Sequence, residues 1–316
     1  MKIDLTTKIG NLTFTNPVTV ASGTFGTKDE YASFVNYNKL GAVITKTITR
    51  LPREGNPMPR ICETPSGMLN AIGLQNKGLE DFIENKIPFF RKLKTNLIVN
   101  IAGDSVEDYV YLAERLQKEN GVKALELNIS CPNVKKGLSF CANPELAYEL
   151  VKAVRDVTAL PIFTKLSPEG FDLLRVADAC IRAGTNALSL MNTIRGMAVD
   201  IETRKPKLAR IFGGLSGPAI RPVALRYLYE VKQRFHIPVL SMGGITNAAD
   251  ALEFLITGAD LIAVGTANFI NPRATMDVLD GIKSYMKEKR IQKIDDLRGT
   301  LKPEAGRDGR NCIPAG

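Results

Sequence analysis

Eight short apolar runs, rich in β-branched residues, recur along the chain with helix-length segments between them. They read PVTVAS at 17–22, AVITK at 42–46, LIVNI at 97–101, ALELN at 124–128, PIFTKLS at 161–167, ALSLM at 187–191, PVLSM at 238–242 and LIAVG at 261–265. Runs this short and this apolar suit strands buried on both faces of a parallel sheet, whose neighbours need long crossovers. The intervening segments carry helical periodicity. In NPELAYELVKAVRDV at 143–157, Asn143 suits the N-cap and Pro144 the first helical turn. Eight strand–helix units within about 250 core residues are the pattern of a (β/α)8 TIM barrel. A doubly wound open sheet would use fewer strands and favour a glycine-rich first turn, but ASGTFGT at 21–27 contains no G-x-G-x-x-G.

The opening KIDLTTKIGNLTF alternates like a β-hairpin, expected to plug the far end of the barrel. Two connections, 47–77 and 192–218, are too long for plain βα loops; they are expected on the carboxyl face, where barrel enzymes build sites and lids. No Ser/Gly-rich linker or shift in composition marks a boundary, so a single domain over 1–316 is expected. The tail from 302, KPEAGRDGRNCIPAG, lacks apolar periodicity and is expected to be flexible, with no catalytic role for Cys312.

Composition removes several function classes. Lys and Arg outnumber Asp and Glu by 42 to 33. The excess is dispersed, without an arginine-rich tract or aromatic–basic interleaving, which predicts an anion-friendly surface and no nucleic-acid partner. No stretch approaches the roughly 18 apolar residues of a membrane span, and the start has no apolar signal segment, so a cytoplasmic protein is expected. Five cysteines without a C-x-x-C pair argue against a disulfide framework, a structural zinc site or an iron–sulfur cluster on this chain. The one histidine, His236, precedes a strand-like run and reads as a loop residue, which disfavours histidine-based catalysis.

The chemistry gathers at the carboxyl ends of the runs. Gly243–Gly244 follows the seventh and Gly265–Thr266 the eighth. Glycines there let backbone N–H groups approach a phosphate, on a substrate or on a mononucleotide such as FMN; the plainer reading is that they close tight turns. Ser22, Lys46–Thr47, Asn100, Asn128, Lys165 and Asn192–Thr193 end six other runs, and closure would aim them into one mouth. Asparagines offer uncharged donors and acceptors for the edges of a flat heterocycle, and lysines offer charge for a carboxylate or a reduced ring. Cys131 lies just past the fourth run in the polar setting Asn-Ile-Ser-Cys-Pro-Asn, a poor niche for a packed cysteine. A thiol with a reference pKa of ~8.5 can serve as a base if lysines and amide donors favour its thiolate. The following Lys135–Lys136–Gly137 with Leu138–Phe140 reads as a lid or as an ordinary solvated turn.

NISCPN at 128–133, NAIGLQN at 70–76, TKLSP at 164–168, SGPAIRP at 216–222 and the two glycine loops together resemble the class 1 dihydroorotate dehydrogenases, over roughly residues 1–290. NAIGLQN is more similar to the NAD-linked type 1B than to the fumarate-using type 1A. The resemblance implies FMN-dependent oxidation of dihydroorotate to orotate in pyrimidine biosynthesis. Cys131 would take the proton from C5 while a hydride leaves C6 for flavin N5, with Lys165 as the second catalytic residue. FMN would be held by Ser22, Lys46, Thr47, Asn100, Asn128, Lys165, Met191, Gly217, Gly243, Gly244, Gly265 and Thr266. Dihydroorotate or orotate would meet Lys46, Asn70, Ala71, Ile72, Gly73, Leu74, Asn128, Asn133, Asn192 and Thr193. A homodimer associated with an iron–sulfur flavoprotein is implied, with FAD and a [2Fe–2S] cluster on that partner passing electrons to NAD+. Cys141 stands where the family leads one to expect a small residue such as glycine. The competing readings are a dihydropyrimidine dehydrogenase-like subunit acting on uracil or thymine, a flavin-free barrel acting on a sugar phosphate, and a non-catalytic basic binding module.

Overall fold

The computed structural model describes residues 1–130, 132–133, 138–169 and 172–302, with 132–133 and 138–139 described through their backbone. The chain opens with a hairpin, β1 (Thr7–Ile9) and β2 (Leu12–Phe14), followed by β3 (Val18–Val20) and β4 (Ala42–Ile44). A second hairpin, β5 (Ile61–Thr64) and β6 (Gly67–Asn70), precedes the short helices α1 (Gly78–Asp81) and α2 (Ile87–Phe90), which a π turn joins. Next come β7 (Asn96–Ile101), α3 (Val106–Leu116), β8 (Val122–Asn128), the small pair β9 (Pro132–Asn133) and β10 (Leu138–Ser139), and α4 (Pro144–Val157). They lead to β11 (Ile162–Leu166), α5 (Leu173–Arg182) and β12 (Ala187–Leu190). Four short strands follow: β13 (Ile194–Gly196), β14 (Val199–Asp200), β15 (Lys205–Pro206) and β16 (Gly213–Ser216). The chain closes with α6 (Arg221–Arg234), β17 (Val239–Met242), α7 (Ala248–Thr257), β18 (Leu261–Val264), α8 (Ala267–Ile270) and α9 (Ala274–Glu288).

All eight apolar runs are strands of one parallel sheet, in the order β3-β18-β17-β12-β11-β8-β7-β4. The ring closes where Gly41 N donates to Val18 O at 2.9 Å, between β4 and β3. A side chain at Gly41 would not fit there, because its Cβ would lie 2.1 Å from Asn16 O. The result is the (β/α)8 barrel that the pattern of runs predicts.

Inside the barrel the side chains change character along its axis. At the amino end Ile9 and Phe14 of the hairpin join Ala42, Ile44, Ile98, Ala124, Phe163, Ala187, Leu240 and Leu261 in one buried cluster, so the hairpin is the expected plug. Two residues further along three of these strands stand Asn100, Glu126 and Ser189, each wholly buried, and along a fourth Lys165. Successive side chains alternate across a strand, so these polar residues share the inward face of the apolar ones below them. The outward face, including Val99, Leu125 and Leu127, packs under the helices in the larger core. At α4 the expected cap forms, with Asn143 Oδ1 accepting from Leu146 N at 3.0 Å.

The two long connections pair with each other, which no local pattern in either one signals. β13 and β16 of the second join β6 and β5 of the first in a four-stranded antiparallel sheet, order β13-β16-β6-β5. The lid reading needs a correction at its end. Phe140 is fully buried, its ring edge-on to Tyr109 at 5.8 Å, so it anchors the segment in the core. Lys135–Lys136–Gly137, the tail from 303 and Cys312 lie outside the described residues. No helix among the described residues is long and apolar enough to cross a membrane, and His236 is exposed in the loop before β17.

Because Phe14 is part of the barrel core, Phe14→Ala should cost roughly 3–5 kcal/mol of unfolding free energy in denaturant titration. A loss below about 1 kcal/mol, the size of a surface change, would show that the hairpin does not fill the barrel.

Candidate active site at the carboxyl mouth of the barrel

The carboxyl ends of the strands surround a cavity of about 410 Å³, within the usual range for a small-molecule site. Ser22 comes from the end of β3, Lys46 and Thr47 from β4, Asn128 from β8, Lys165 from β11, and Met191, Asn192 and Thr193 from β12. Gly217 follows β16, Gly243–Gly244 follows β17 and Gly265–Thr266 follows β18. Asn70 to Leu74, at the end of β6 and just beyond, complete the wall. Among the expected residues whose side chains are described, Asn100 alone does not line it. Cys131 lies outside the described residues, and Asn133 is described only through its backbone. Asn100 is wholly buried in β7, where its Nδ2 donates to Glu126 Oε2 at 2.5 Å.

Side-chain hydrogen bonds hold the wall in place. Asn192 Nδ2 donates to Ser130 Oγ at 2.8 Å and to Asn128 Oδ1 at 3.3 Å, while Asn192 Oδ1 accepts from Thr193 N at 2.9 Å. These bonds fix the amide orientation of Asn192 and tie it to Asn128 and Ser130 at the end of β8. Below, Tyr109 OH donates to Asn128 O at 2.6 Å, tying the end of β8 to α3. Asn76 holds the Asn70–Leu74 segment against the β4 loop, with its Nδ2 donating to Thr49 Oγ1 and Leu74 O, both at 2.8 Å. Gly73 (φ +73°) and Leu74 (φ +56°) both sit in the left-handed region here, unusual for leucine.

Two lysines bring positive charge to the cavity. Lys165 is 6% exposed and its Nζ donates to Ser22 Oγ at 3.1 Å. Lys46 is half-buried; burial, and then the nearby charge of Arg60, lower its pKa from the ordinary lysine value. An anion placed beside it would relieve both effects. In the barrel below, Asn100 Oδ1, Glu126 Oε1 and Ser189 Oγ are buried with no hydrogen-bond partner among the described residues.

Part of the cavity wall is backbone. Gly217 (φ +99°) and Gly244 (φ +74°) adopt conformations that side chains resist, and a Cβ on Gly244 would lie 2.8 Å from Gly217 O. At Gly265 neither conformation nor crowding excludes a side chain, since the nearest atom to its Cβ position is Ala21 Cβ at 3.4 Å. The glycine leaves open space on the wall. Thr266 Oγ1 donates to Ser216 Oγ at 2.8 Å, joining the eighth strand end to the start of the Gly217 turn. Small, cradled backbone together with amides and lysines in one cavity suits a ligand with a phosphate and a polar flat ring.

Sequence reasoning missed several lining residues. Ile61, Met68 and Phe269 add apolar surface, and Ser216 adds a hydroxyl. Ser216 lay within SGPAIRP, and Ile61 and Met68 flank the turn signal Thr-Pro-Ser-Gly in the long connection, so a signal was present for each.

The family model for dihydroorotate dehydrogenase matches residues 4–286. The catalytic subunit of dihydroorotate dehydrogenase B (NAD(+)) from Desulforamulus reducens is 52% identical over 300 residues, which cover 95% of this chain and 99% of that protein. Proteins of the same name from Geotalea uraniireducens and Alkaliphilus metalliredigens are 49% and 48% identical over 301 residues, again covering 95% of this chain and 99% of each relative. The chain is an oxidoreductase and belongs to the dihydroorotate dehydrogenase family.

Proposed function

We propose that this chain is the FMN-binding catalytic subunit of a cytoplasmic, NAD-linked dihydroorotate dehydrogenase, oxidising dihydroorotate to orotate in pyrimidine biosynthesis. The observation that carries the reading is one cavity whose wall holds both a glycine cradle and a set of lysines and asparagines, in a chain whose relatives, matched over 99% of their length, are named catalytic subunits of dihydroorotate dehydrogenase B (NAD(+)). The cradle of Gly217, Gly243–Gly244 and Gly265–Thr266 would take the phosphate of FMN. Ser22, Lys46, Thr47, Asn128, Lys165 and Met191 would hold its remainder, with Asn100 beneath. When bound, FMN supplies the acceptor for the hydride that leaves the substrate.

The chain's own residues do the rest. Lys46 would pair with the carboxylate of dihydroorotate, and Asn70, Asn128, Asn133, Asn192 and Thr193 would hydrogen-bond its ring amides, fixing one face toward the flavin. The Asn70–Leu74 segment would close over the substrate and exclude water. Cys131 would remove the proton from C5, a role that rests on the NISCPN motif and the family. Asn192, bonded to both Asn128 and Ser130, would keep that strand end in register with the ring. Lys165 would favour negative charge developing near Ser22. Electrons would then leave through a partner subunit carrying FAD and a [2Fe–2S] cluster, attached to a homodimer of this chain, in keeping with relatives named as subunits. We read residues 1–316 as one domain.

The direct test is anaerobic addition of L-dihydroorotate to the FMN-loaded protein. Bleaching of the oxidised-flavin band is expected; a band that persists with dihydroorotate but bleaches with dihydrouracil would transfer the reading to a dihydropyrimidine dehydrogenase. In the same assay Cys131→Ser should slow flavin reduction by roughly 100-fold or more, as loss of a general base does, while orotate still binds. Unchanged reduction would remove Cys131 from the mechanism.

Lys46 yields a prediction of opposite signs. Its lowered pKa means that the unfolded chain binds this proton more tightly. Its cost to stability is therefore full below the lowered pKa and disappears as pH rises to the ordinary value of about 10.4. At neutral pH Lys46→Met should raise the melting temperature of the ligand-free protein while weakening orotate binding. A lower melting temperature with unchanged orotate affinity would contradict both parts.

A further inference from the structure

The two glycine segments at the cradle are tied together by one ion pair that lies behind them. Asp250, the third residue of α7, is buried. Its Oδ2 accepts from Thr246 N at 2.8 Å, from Thr246 Oγ1 at 2.6 Å and from Asn247 N at 3.3 Å. Its own N–H donates to Asn247 Oδ1 at 3.1 Å, completing a capping box. Its Oδ1 is held by Nη1 of Arg221 in a close ion pair, and Arg221 Nε lies 3.4 Å from Glu253 Oε2.

Arg221 is the first residue of α6, four positions after Gly217, with a single 3-10 turn between them. Its stem also packs on the other segment, since a Cβ on Gly244 would lie 2.8 Å from Arg221 Cβ. The donors gathered on Asp250 therefore come from residues just beyond Gly243–Gly244 and from the helix that starts beyond Gly217. A carboxylate only accepts, so it can satisfy them all at once, and no neutral side chain of the same size can.

We propose, on the FMN reading above, that Asp250 and Arg221 are positioning residues for the cofactor phosphate. Their ion pair fixes the distance between the Gly217 and Gly243–Gly244 segments, so that both present backbone to one dianion. Neither residue is among those around the cavity. An amide at position 250 accepts on one side only, so its NH2 group would face either the loop donors or the Arg221 guanidinium, and the tie between the two segments would be lost. Loss of the Arg221 guanidinium would leave the Asp250 charge buried with only neutral donors.

The test compares FMN with riboflavin, which has the same ring and no phosphate. Flavin-free wild type, Asp250→Asn and Arg221→Gln are each titrated with both flavins, following the quenching of flavin fluorescence. Each variant should lose FMN affinity by roughly 10-fold or more while riboflavin affinity changes by less than about 2-fold. Arg221 is partly exposed, and Arg221→Gln leaves the loop donors on Asp250 in place. It therefore gives the reading even where Asp250→Asn fails to fold. FMN affinity at the wild-type level in the folded variants, or an equal fall for both flavins, would overturn the proposal. Wild type that binds FMN no tighter than riboflavin would instead remove the phosphate reading on which it rests.

Discussion

Closure of eight parallel strands is the constraint from which the mouth of the barrel follows. It depends on a close approach at Gly41, where no side chain fits beside Asn16 O. Once the ring is closed, every strand delivers its carboxyl end to one rim, and alternation sends every second side chain inward. Residues far apart in the chain, such as Ser22 and Lys165, then come within hydrogen-bond reach. The hairpin fills the other end with Ile9 and Phe14, so the apolar layer that stabilises the barrel is separated by only a few ångströms from the polar layer that serves the cavity.

That polar layer is expensive to fold. Asn100, Glu126 and Ser189 each bury an oxygen with no hydrogen-bond partner among the described residues, and buried polar groups cost stability unless they are paired. Lys46 adds a desolvated charge near a second cation, Arg60. A core selected for stability alone would place apolar residues at such positions, as the barrel does one layer below. Departures from local rules at one end of an otherwise consistent fold mark a site that is paid for by the rest of the molecule. The cradle differs in that its demands are met by geometry: glycines supply close approach, and the pair of Arg221 and Asp250 supplies rigidity without entering the cavity.

Much of this was legible in the sequence. The strands could be read because burial on both faces makes them short uninterrupted apolar runs, and the cap at Asn143 because its chemistry is local. The strand-end residues could be read because closure leaves them only one place to go. The four-stranded sheet over the mouth was not legible. Its pairing of β6 with β16 joins residues some 145 positions apart, as Leu69 with Leu215, and no local signal fixes such a register. The ion pair between Arg221 and Asp250 was hidden for the same reason, although Asn247 and Asp250 spell a capping box. Glu126 had a signal that could have been used, a lone carboxylate inside the apolar run ALELN.

On the proposed function, the glycine cradle and the lysines and asparagines form one site in which a flavin and orotate lie in contact. Titrating the FMN-loaded protein with orotate, while recording the visible flavin spectrum, tests it most directly. Contact predicts a saturable shift of the flavin bands at one orotate per chain, because an aromatic anion against the ring changes its electronic surroundings. A spectrum that stays the same while calorimetry shows orotate bound would place the two ligands apart and rule out a shared site.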